Sequence, residues 1–329
     1  MTMPSVREHG SDLAHTAIVG SAADLPAVLV PELRRSAGRY DEVLLVVGHD
    51  TRAALQGQVG ELDGNVRWSD PRGFYQRLGF AYESFRRYLA GQAEAGRRVH
   101  VIAEPDLTGG ADPGLRASAY LSYEAMCNET YAPYGCAVTC VWGEQHHSPA
   151  VLEGARATHP HLLTATGPVR SGSYQDAERY LAGRRDPWPP APAEVDEEVI
   201  LAGVADLRRL RSVVHTWAAD RDFADEPIDD VVVAVVEVAA NGLRHGAAPV
   251  RVRAWHDQDT LVVQCDDSAG RPLPVTAGYR RPGRADAAPD GRGLWLARQL
   301  ADVVIIGREP GRTSVRLHFP HEIMHRGAA

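Results

Sequence analysis

No apolar run in the 329 residues reaches the roughly 18 needed to cross a bilayer as a helix, so a membrane protein is not expected. Met1 to Gly20 also lacks the basic start and unbroken apolar core of a secretory leader. Basic charge is scarce: 35 Lys and Arg face 43 Asp and Glu, a formal net charge of −8. Phosphate backbones are held by a basic face, so direct nucleic-acid binding is not expected either. Only four cysteines are present, too few to staple a chain of this length. Reduced thiols and a cytoplasmic setting follow. Internal repeats are absent as well.

Two of the cysteines, Cys136 and Cys140, lie in Gly135-Cys-Ala-Val-Thr-Cys-Val-Trp142, with His146 and His147 just beyond. That segment lacks the CxxC or HxxxH spacing of a metal site. The cysteines are therefore read as small buried hydrophobes in a strand, in preference to a metal or redox site.

What is present is ordinary for soluble globular protein, 44% apolar and 24% charged, in a length that suits two domains. In the first half, short apolar runs (Thr16–Gly20, Glu42–Gly48, Arg98–Ala103, Ala137–Trp142) read as buried strands. They alternate with stretches of helical length and period (Ala22–Ser36, Gly73–Ala95, Ala117–Thr130). Such alternation predicts an α/β sandwich built on a mainly parallel sheet over residues 14–182, after a flexible 1–13. The proline-rich stretch 183–199 predicts a semi-rigid linker. Beyond it come helices over Val204–Ala219, Asp229–Gly242 and Gly293–Ala301 and strands over Val250–Trp255, Thr260–Cys265, Val303–Gly307 and Ser314–Phe319. That order predicts a second, two-layer α/β domain over 200–320, with 321–329 as a tail.

The chemistry-bearing residues concentrate in this second domain. Glu237 and Asn241 stand four apart in a valine-rich helix, so they project from one face, where burial without partners is costly. Asp266 leaves the end of a strand in Cys265-Asp-Asp-Ser-Ala-Gly270, where a carboxylate can accept from a ligand amino group. Gly291 and Gly293 open a predicted helix, whose first N–H groups suit a phosphate.

In this order and spacing the segments resemble the motifs of the GHKL, or Bergerat, ATP-binding fold shared by gyrase, histidine kinases and anti-sigma-factor kinases. The resemblance makes Glu237-x-x-x-Asn241 the N box, with Asn241 holding Mg²⁺ at the phosphates. It makes Asp266-x-Ser268-x-Gly270 the first glycine box, with Asp266 taking the adenine amino group. Gly291-x-Gly293, followed by Leu294, becomes the second glycine box, and Thr313 sits in the terminal strand motif near the adenine. Ser268 stands where the first box usually has Gly. ATP and Mg²⁺ are thus the expected cofactors, bound by a self-sufficient domain. The arginines of the short lid, Arg271, Arg280, Arg281 and Arg284, are read as solvating a mobile loop in preference to meeting a triphosphate.

The compact arrangement is most similar to the anti-sigma-factor serine kinases, in which the N-box Glu acts as general base; that makes Glu237 the catalytic candidate. The implied partners are a sigma factor, a STAS-type anti-anti-sigma protein, or both, with a homodimer possible. A sensor histidine kinase is one alternative, with His215 the only candidate acceptor; it is read as a packing residue, as His245 is read as a structural helix end. A non-catalytic, nucleotide-dependent binding module is the other.

The first half resembles the MEDS sensory domain of methanogen and methylotroph regulators. The likeness rests on Ile102-Ala-Glu-Pro105, Tyr120-Leu-Ser-Tyr-Glu-Ala-Met-Cys-Asn128, the strand ending at Cys140, and the segment from Pro149 to Pro160. Gly143-Glu144 departs from the Tyr-Asp of such families. A small-molecule signal is implied, with Glu104 at a strand C-terminus, Glu124 and His15 as candidate contacts.

Overall fold

A computed structural model describes residues 14–59, 64–110, 112–271, 273–283, 292–309 and 311–325. The first half consists of β1 (Ala14–Gly20), α1 (Leu25–Ala37), β2 (Glu42–Val46), α2 (His49–Val59), β3 (Val66–Ser69), α3 (Pro71–Phe74), α4 (Leu78–Glu94), β4 (Val99–Ala103), α5 (Pro113–Thr130), β5 (Ala137–Gly143), α6 (Pro149–Thr158), β6 (His161–Thr164), β7 (Gly167–Arg170) and α7 (Ala177–Gly183). Its seven-stranded sheet has the order β3-β2-β4-β5-β1-β6-β7. All neighbours run parallel except the β6–β7 hairpin. Strand parity divides the core in two. Val43, Leu45, Ile102 and Val141 face α1 and α2, while Leu44, Val46, Val101 and Val138 face α4, α5 and α6. The expected α/β sandwich is therefore present, with both faces covered.

Local chemistry sets several ends. Asp112 and Ser148 each accept from a backbone N–H of the first turn of α5 and α6, and each is followed by a proline suited to that position. The helix expected over Gly73–Ala95 is broken into α3 and α4. The reason is Arg116, whose guanidinium takes the carbonyls of Tyr75 and Gln76 at 3.2 and 3.4 Å, drawing them out of any helical ladder.

The second half consists of β8 (Glu197–Leu201), α8 (Leu207–Ala219), α9 (Asp225–His245), β9 (Val250–Asp257), β10 (Thr260–Asp267), α10 (Arg292–Leu300), β11 (Val303–Glu309), β12 (Arg312–Pro320) and α11 (His321–Met324). Its five-stranded sheet, ordered β11-β12-β10-β9-β8, is antiparallel throughout. α8, α9 and α10 cover one face, around Val231, Val235, Val263 and Leu317. The helix α9 extends four residues before the expected start at Asp229, with Asp225 and Glu226 at its positive end and Arg244 and His245 at its negative end.

The proline-rich segment does not behave as a spacer. Trp188 lies against Gly307, where an added Cβ would come within 2.8 Å of the indole, and the Arg316 guanidinium sits 4.3 Å over the Trp188 ring. Arg316 also donates to the Pro189 carbonyl at 2.9 Å. The segment is a strap on the outer face of the second sheet, and its last residues enter β8.

The halves share a core. On β11, Val304 and Ile306 face their own helices, whereas Val303 and Ile305 join the apolar cluster of the first half. Tyr279 joins it too, edge-on to Tyr123 at 5.1 Å. Arg116 of α5 and Asp302 form an ion pair at 3.0 Å, each 1% exposed. Gly79 of α4 abuts the Arg298 backbone so closely that a methyl there would overlap its carbonyl oxygen. Residues 1–13, expected to be flexible, lie outside the described residues; of 321–329, expected to be a tail, His321–Met324 is a helix that buries Ile323 and Met324. Among the described residues, no helix is long and apolar enough to cross a membrane.

Candidate functional site

The site is assembled where α9 meets the first turn of α10. Glu237 and Asn241, one turn apart and half-buried, both face Gly293. A Cβ at 293 would lie 2.7 Å from Asn241 Nδ2 and 2.8 Å from Glu237 Oε2, so only glycine lets α10 start this near them. Beside this contact lies a cavity of about 540 Å³. Its apolar wall includes Val238, Val250, Leu273 and Val315, and Asn241, Leu294 and Thr313 also line it. Thr313 Oγ1 donates to the Arg271 carbonyl at 3.2 Å.

Asp266 does not face that cavity. Along β10 the residues Leu261, Val263 and Cys265 point to the helices, so period-two alternation sends Asp267 to the same face and Asp266 to the other. There Asp266 is buried and accepts from Arg253 at 2.9 Å, from Gln264 at 2.8 Å and from the Ser314 hydroxyl. Asp267 lines the cavity, with one oxygen accepting from the Ala269 N–H at 2.9 Å. Gly246 faces it: a Cβ there would come 2.5 Å from the Asp267 carboxyl carbon. The alternation is present in the sequence: Val262, Gln264 and Asp266 fall on one face, and Leu261, Val263, Cys265 and Asp267 on the other.

The remaining expected residues are dispersed. Ser268 is exposed, its hydroxyl 3.3 Å from the Pro249 carbonyl, and it does not line the cavity. Gly270 takes a positive φ of 57° where the chain crosses the β11–β12 turn, and an added Cβ would sit 2.7 Å from the Gly311 Cα. Gly291 and Arg284 lie outside the described residues. Of the lid arginines, Arg281 pairs with Glu83 at 3.1 Å and Arg280 with Glu129, so they tie the lid to the first half instead of solvating it. Arg271 is exposed at the cavity edge. Glu237 lines a second cavity, of about 840 Å³, together with Arg244, Arg281 and Arg292 and with Arg86, Thr130 and Tyr134 of the first half.

In the first half, Glu104 lines a cavity of about 450 Å³ at the C-terminal ends of β2 and β4, with His49, Arg52, His146 and His147. Its Oε2 accepts from the Gly48 N–H at 2.9 Å. Burial, with some contribution from His146, holds His147 down to about 4. His15 and Glu124 are elsewhere. They meet Cys140 and His159 in the interior beneath α5, with one ligand-type atom of each lying within 4.8 Å of all the others. His159 was not singled out from the sequence, and only the fold brings these four positions together.

The geometry agrees with two comparisons. Residues 200–319 match the family model described as a histidine kinase-like ATPase domain. Residues 15–160 match the one described as MEDS, the methanogen/methylotroph, DcmR sensory domain. This chain is a MEDS domain joined to a histidine kinase-like ATPase domain. Among solved structures it is similar to the RsbU and RsbW domains of Rv1364c from Mycobacterium tuberculosis, at 22% identity over 42% of this chain and 33% of that chain, with a TM-score of 0.29. No curated protein matches.

Two further groups of the ATPase domain have the look of sites. His215 is exposed on α8. His321-Glu-Ile-Met-His325 has the spacing of a zinc-binding helix, but its imidazoles are spent on ties between elements. His325 Nε2 accepts from the Ala224 N–H at 3.3 Å, and His321 Nε2 donates to the Asp222 carbonyl at 3.2 Å.

Proposed function

We propose that this protein is a signal-responsive regulator whose ATPase domain binds ATP in the 540 Å³ cavity and transfers its terminal phosphoryl group to a Ser or Thr of a partner in a sigma-factor network. The observation that carries the reading is the convergence of Glu237 and Asn241 under Gly293, a carboxylate and an amide one helical turn apart beside a roomy, largely apolar cavity. The donor set fits: an amide oxygen suits Mg²⁺, and Asn241 would hold the ion. Mg²⁺, when bound, neutralises phosphate charge. Glu237 would take the proton of the partner hydroxyl as its oxygen bonds to phosphorus and the bond to the ADP leaving group breaks. Asp267, in place of Asp266, would accept from the adenine amino group, since a carboxylate that takes one backbone N–H keeps acceptor capacity.

The partner would reach Glu237 through the 840 Å³ cavity, which the MEDS domain frames with Arg86, Thr130 and Tyr134. A small-molecule signal in the 450 Å³ cavity beside Glu104 would then alter access to the reaction. The same framing favours a second reading, in which nucleotide changes partner affinity and no phosphoryl group moves.

Calorimetry on the full chain with MgATP tests the binding step. Asp267→Asn should weaken affinity about tenfold or more, the cost of an unpaired buried donor, and Asp266→Asn should change it less than about twofold. The reverse pattern sinks the assignment. Labelled ATP with a STAS-type anti-anti-sigma protein tests transfer. Label should reach Ser or Thr and fall by ~10²-fold in Glu237→Gln. Label on His215 would favour a histidine kinase, and binding without transfer the second reading.

A further inference from the structure

The strongest unexplained arrangement lies in the MEDS domain, away from the nucleotide cavity. His15 comes from β1, Cys140 from β5, Glu124 from α5, and His159 is the C-cap of α6. Exposure of these residues is 0%, 3%, 1% and 0%, so no solvent screens them. Glu124 Oε2 lies 3.4 Å from His15 Nε2, 3.4 Å from His159 Nε2 and 3.5 Å from Cys140 Sγ, and Cys140 Sγ lies 3.7 Å from His15 Nε2.

The outer nitrogens fix which atoms point inward. Asn128 Nδ2 donates to the carbonyls of Thr158 and Ala125, at 2.8 and 3.3 Å, which turns its oxygen to His15. His15 Nδ1 therefore donates to Asn128 Oδ1, at 2.9 Å. His159 Nδ1 donates to the Ala155 carbonyl at 2.7 Å. Both rings then turn Nε2 toward the same carboxylate oxygen, Glu124 Oε2. His159 Nε2 and Glu124 Oε1 are buried without a hydrogen-bond partner. Four ligand-type atoms thus converge in a dry interior that leaves two polar atoms unpaired, a costly arrangement that a bound cation would relieve.

We infer that His15, Glu124, Cys140 and His159 form a buried binding site for a divalent transition-metal ion of the zinc class. Size supports this. Tetrahedral zinc, with Zn–N and Zn–O near 2.0–2.2 Å and Zn–S near 2.3 Å, requires ligand-to-ligand edges of roughly 3.3–3.6 Å, and the four distances above fall at or beside that range. Two imidazoles, a thiolate and a carboxylate suit zinc, cobalt or iron, whereas magnesium and calcium take all-oxygen sites. The hydrogen bonds from both Nδ1 atoms are the outer-shell ties that orient metal-binding histidines. The adjoining cavity, walled by Tyr75, Tyr120 and Tyr131, is about 10 Å³, room for about one water and no organic ligand. The ion would tie α5 and the end of α6 to the two central strands, in a site separate from the one proposed for nucleotide.

The test uses the full chain, reduced and stripped with a chelator, titrated with Co²⁺ and with Zn²⁺ against a chromophoric chelator. Co²⁺ should bind one per chain with tetrahedral visible bands and a thiolate-to-cobalt charge-transfer band, and Zn²⁺ should displace it and raise the thermal midpoint. Cys140→Ser should remove the charge-transfer band. Asn128→Leu, which leaves the ligands in place but frees His15, should weaken Zn²⁺ about 10- to 100-fold. His325→Ala should change neither. If Cys140→Ser does not fold, the wild-type band, its stoichiometry and the Zn²⁺-dependent midpoint decide. A folded wild type that takes up neither ion at micromolar concentration, or a charge-transfer band that survives in folded Cys140→Ser, overturns the site.

Discussion

In the seven-stranded sheet helices cover both faces, whereas in the five-stranded sheet helices cover one and the proline-rich strap lies against the other. The two arrangements give a polar strand residue different meanings. The parallel sheet has no wet side, so each such residue needs a partner within the protein. His100 is held between Ser36 at 2.7 Å and Thr139 at 2.8 Å, with Thr139 in turn bonded to Thr16, and His15 and Cys140 enter the cluster around Glu124. In the antiparallel sheet, parity decides. Gln264, Asp266, Ser314 and Arg316 share the outer face in one hydrogen-bonded set, and burial together with the nearby Arg253 charge holds the Arg316 guanidinium down to about 10. A carboxylate one residue along, Asp267, belongs to the cavity instead.

The boundary between the sheets should be the most sensitive place to disturb this contrast. Asp302→Ala leaves the Arg116 guanidinium buried without its ion, which should cost about 3–5 kcal/mol and separate a single thermal transition into two. Replacing both members by apolar residues, Arg116→Met with Asp302→Leu, removes the unpaired ion but also the donor to the Asp106, Tyr75 and Gln76 carbonyls, so it should recover only part of the loss. Calorimetric melting of the three proteins measures it, and a loss below about 1 kcal/mol for Asp302→Ala would remove the pair from the account.

Acid should act on both sheets through one histidine each. Burial holds His100 down to about 4, and burial with Arg316 does the same to His318. As pH falls from about 6.5 to about 4 the unfolded chain binds these protons and the native one does not, so stability present at neutral pH is lost, up to about 3 kcal/mol for each. Urea midpoints across that range should show the fall, and His100→Gln should flatten it by its own share while the His318 share persists. A slope unchanged in His100→Gln would mean that the first sheet contributes nothing to it. The smallest effect is expected at Arg280→Ala. Its pair with Glu129 also bridges the halves, but its members are 60% and 41% exposed, so stability from urea unfolding should fall by less than about 1 kcal/mol.

The sequence carried most of the architecture, for identifiable reasons. α9 was legible because a valine-rich run of helical period is interrupted only at Glu237 and Asn241, and β11 because Val303-Val-Ile-Ile306 reads as a strand buried on both sides. α2 was not, since only Thr51 and Leu55 are buried and its other residues through Gln58 are exposed, with no apolar stripe of helical period. β3 is a half-exposed edge strand, and β6 and β7 are four residues each, too short for a period to register. Motif spacing points to Asp266, whereas strand alternation puts Asp267 on the cavity face. His159 joins His15, Glu124 and Cys140 only through tertiary contact, which no local pattern records.

The apolar cluster that takes in Tyr279, Val303 and Ile305 has a consequence for modularity. A proline-rich junction between two recognisable families invites division there, in the laboratory or by recombination in a genome. Severing this chain at the strap would expose those three side chains, strip Trp188 from Gly307 and part Arg116 from Asp302. Either half transplanted alone would carry a greasy scar and an orphaned charge. The domains are thus distinct as families yet share one apolar contact, and a new partner for either would need a surface that matches it.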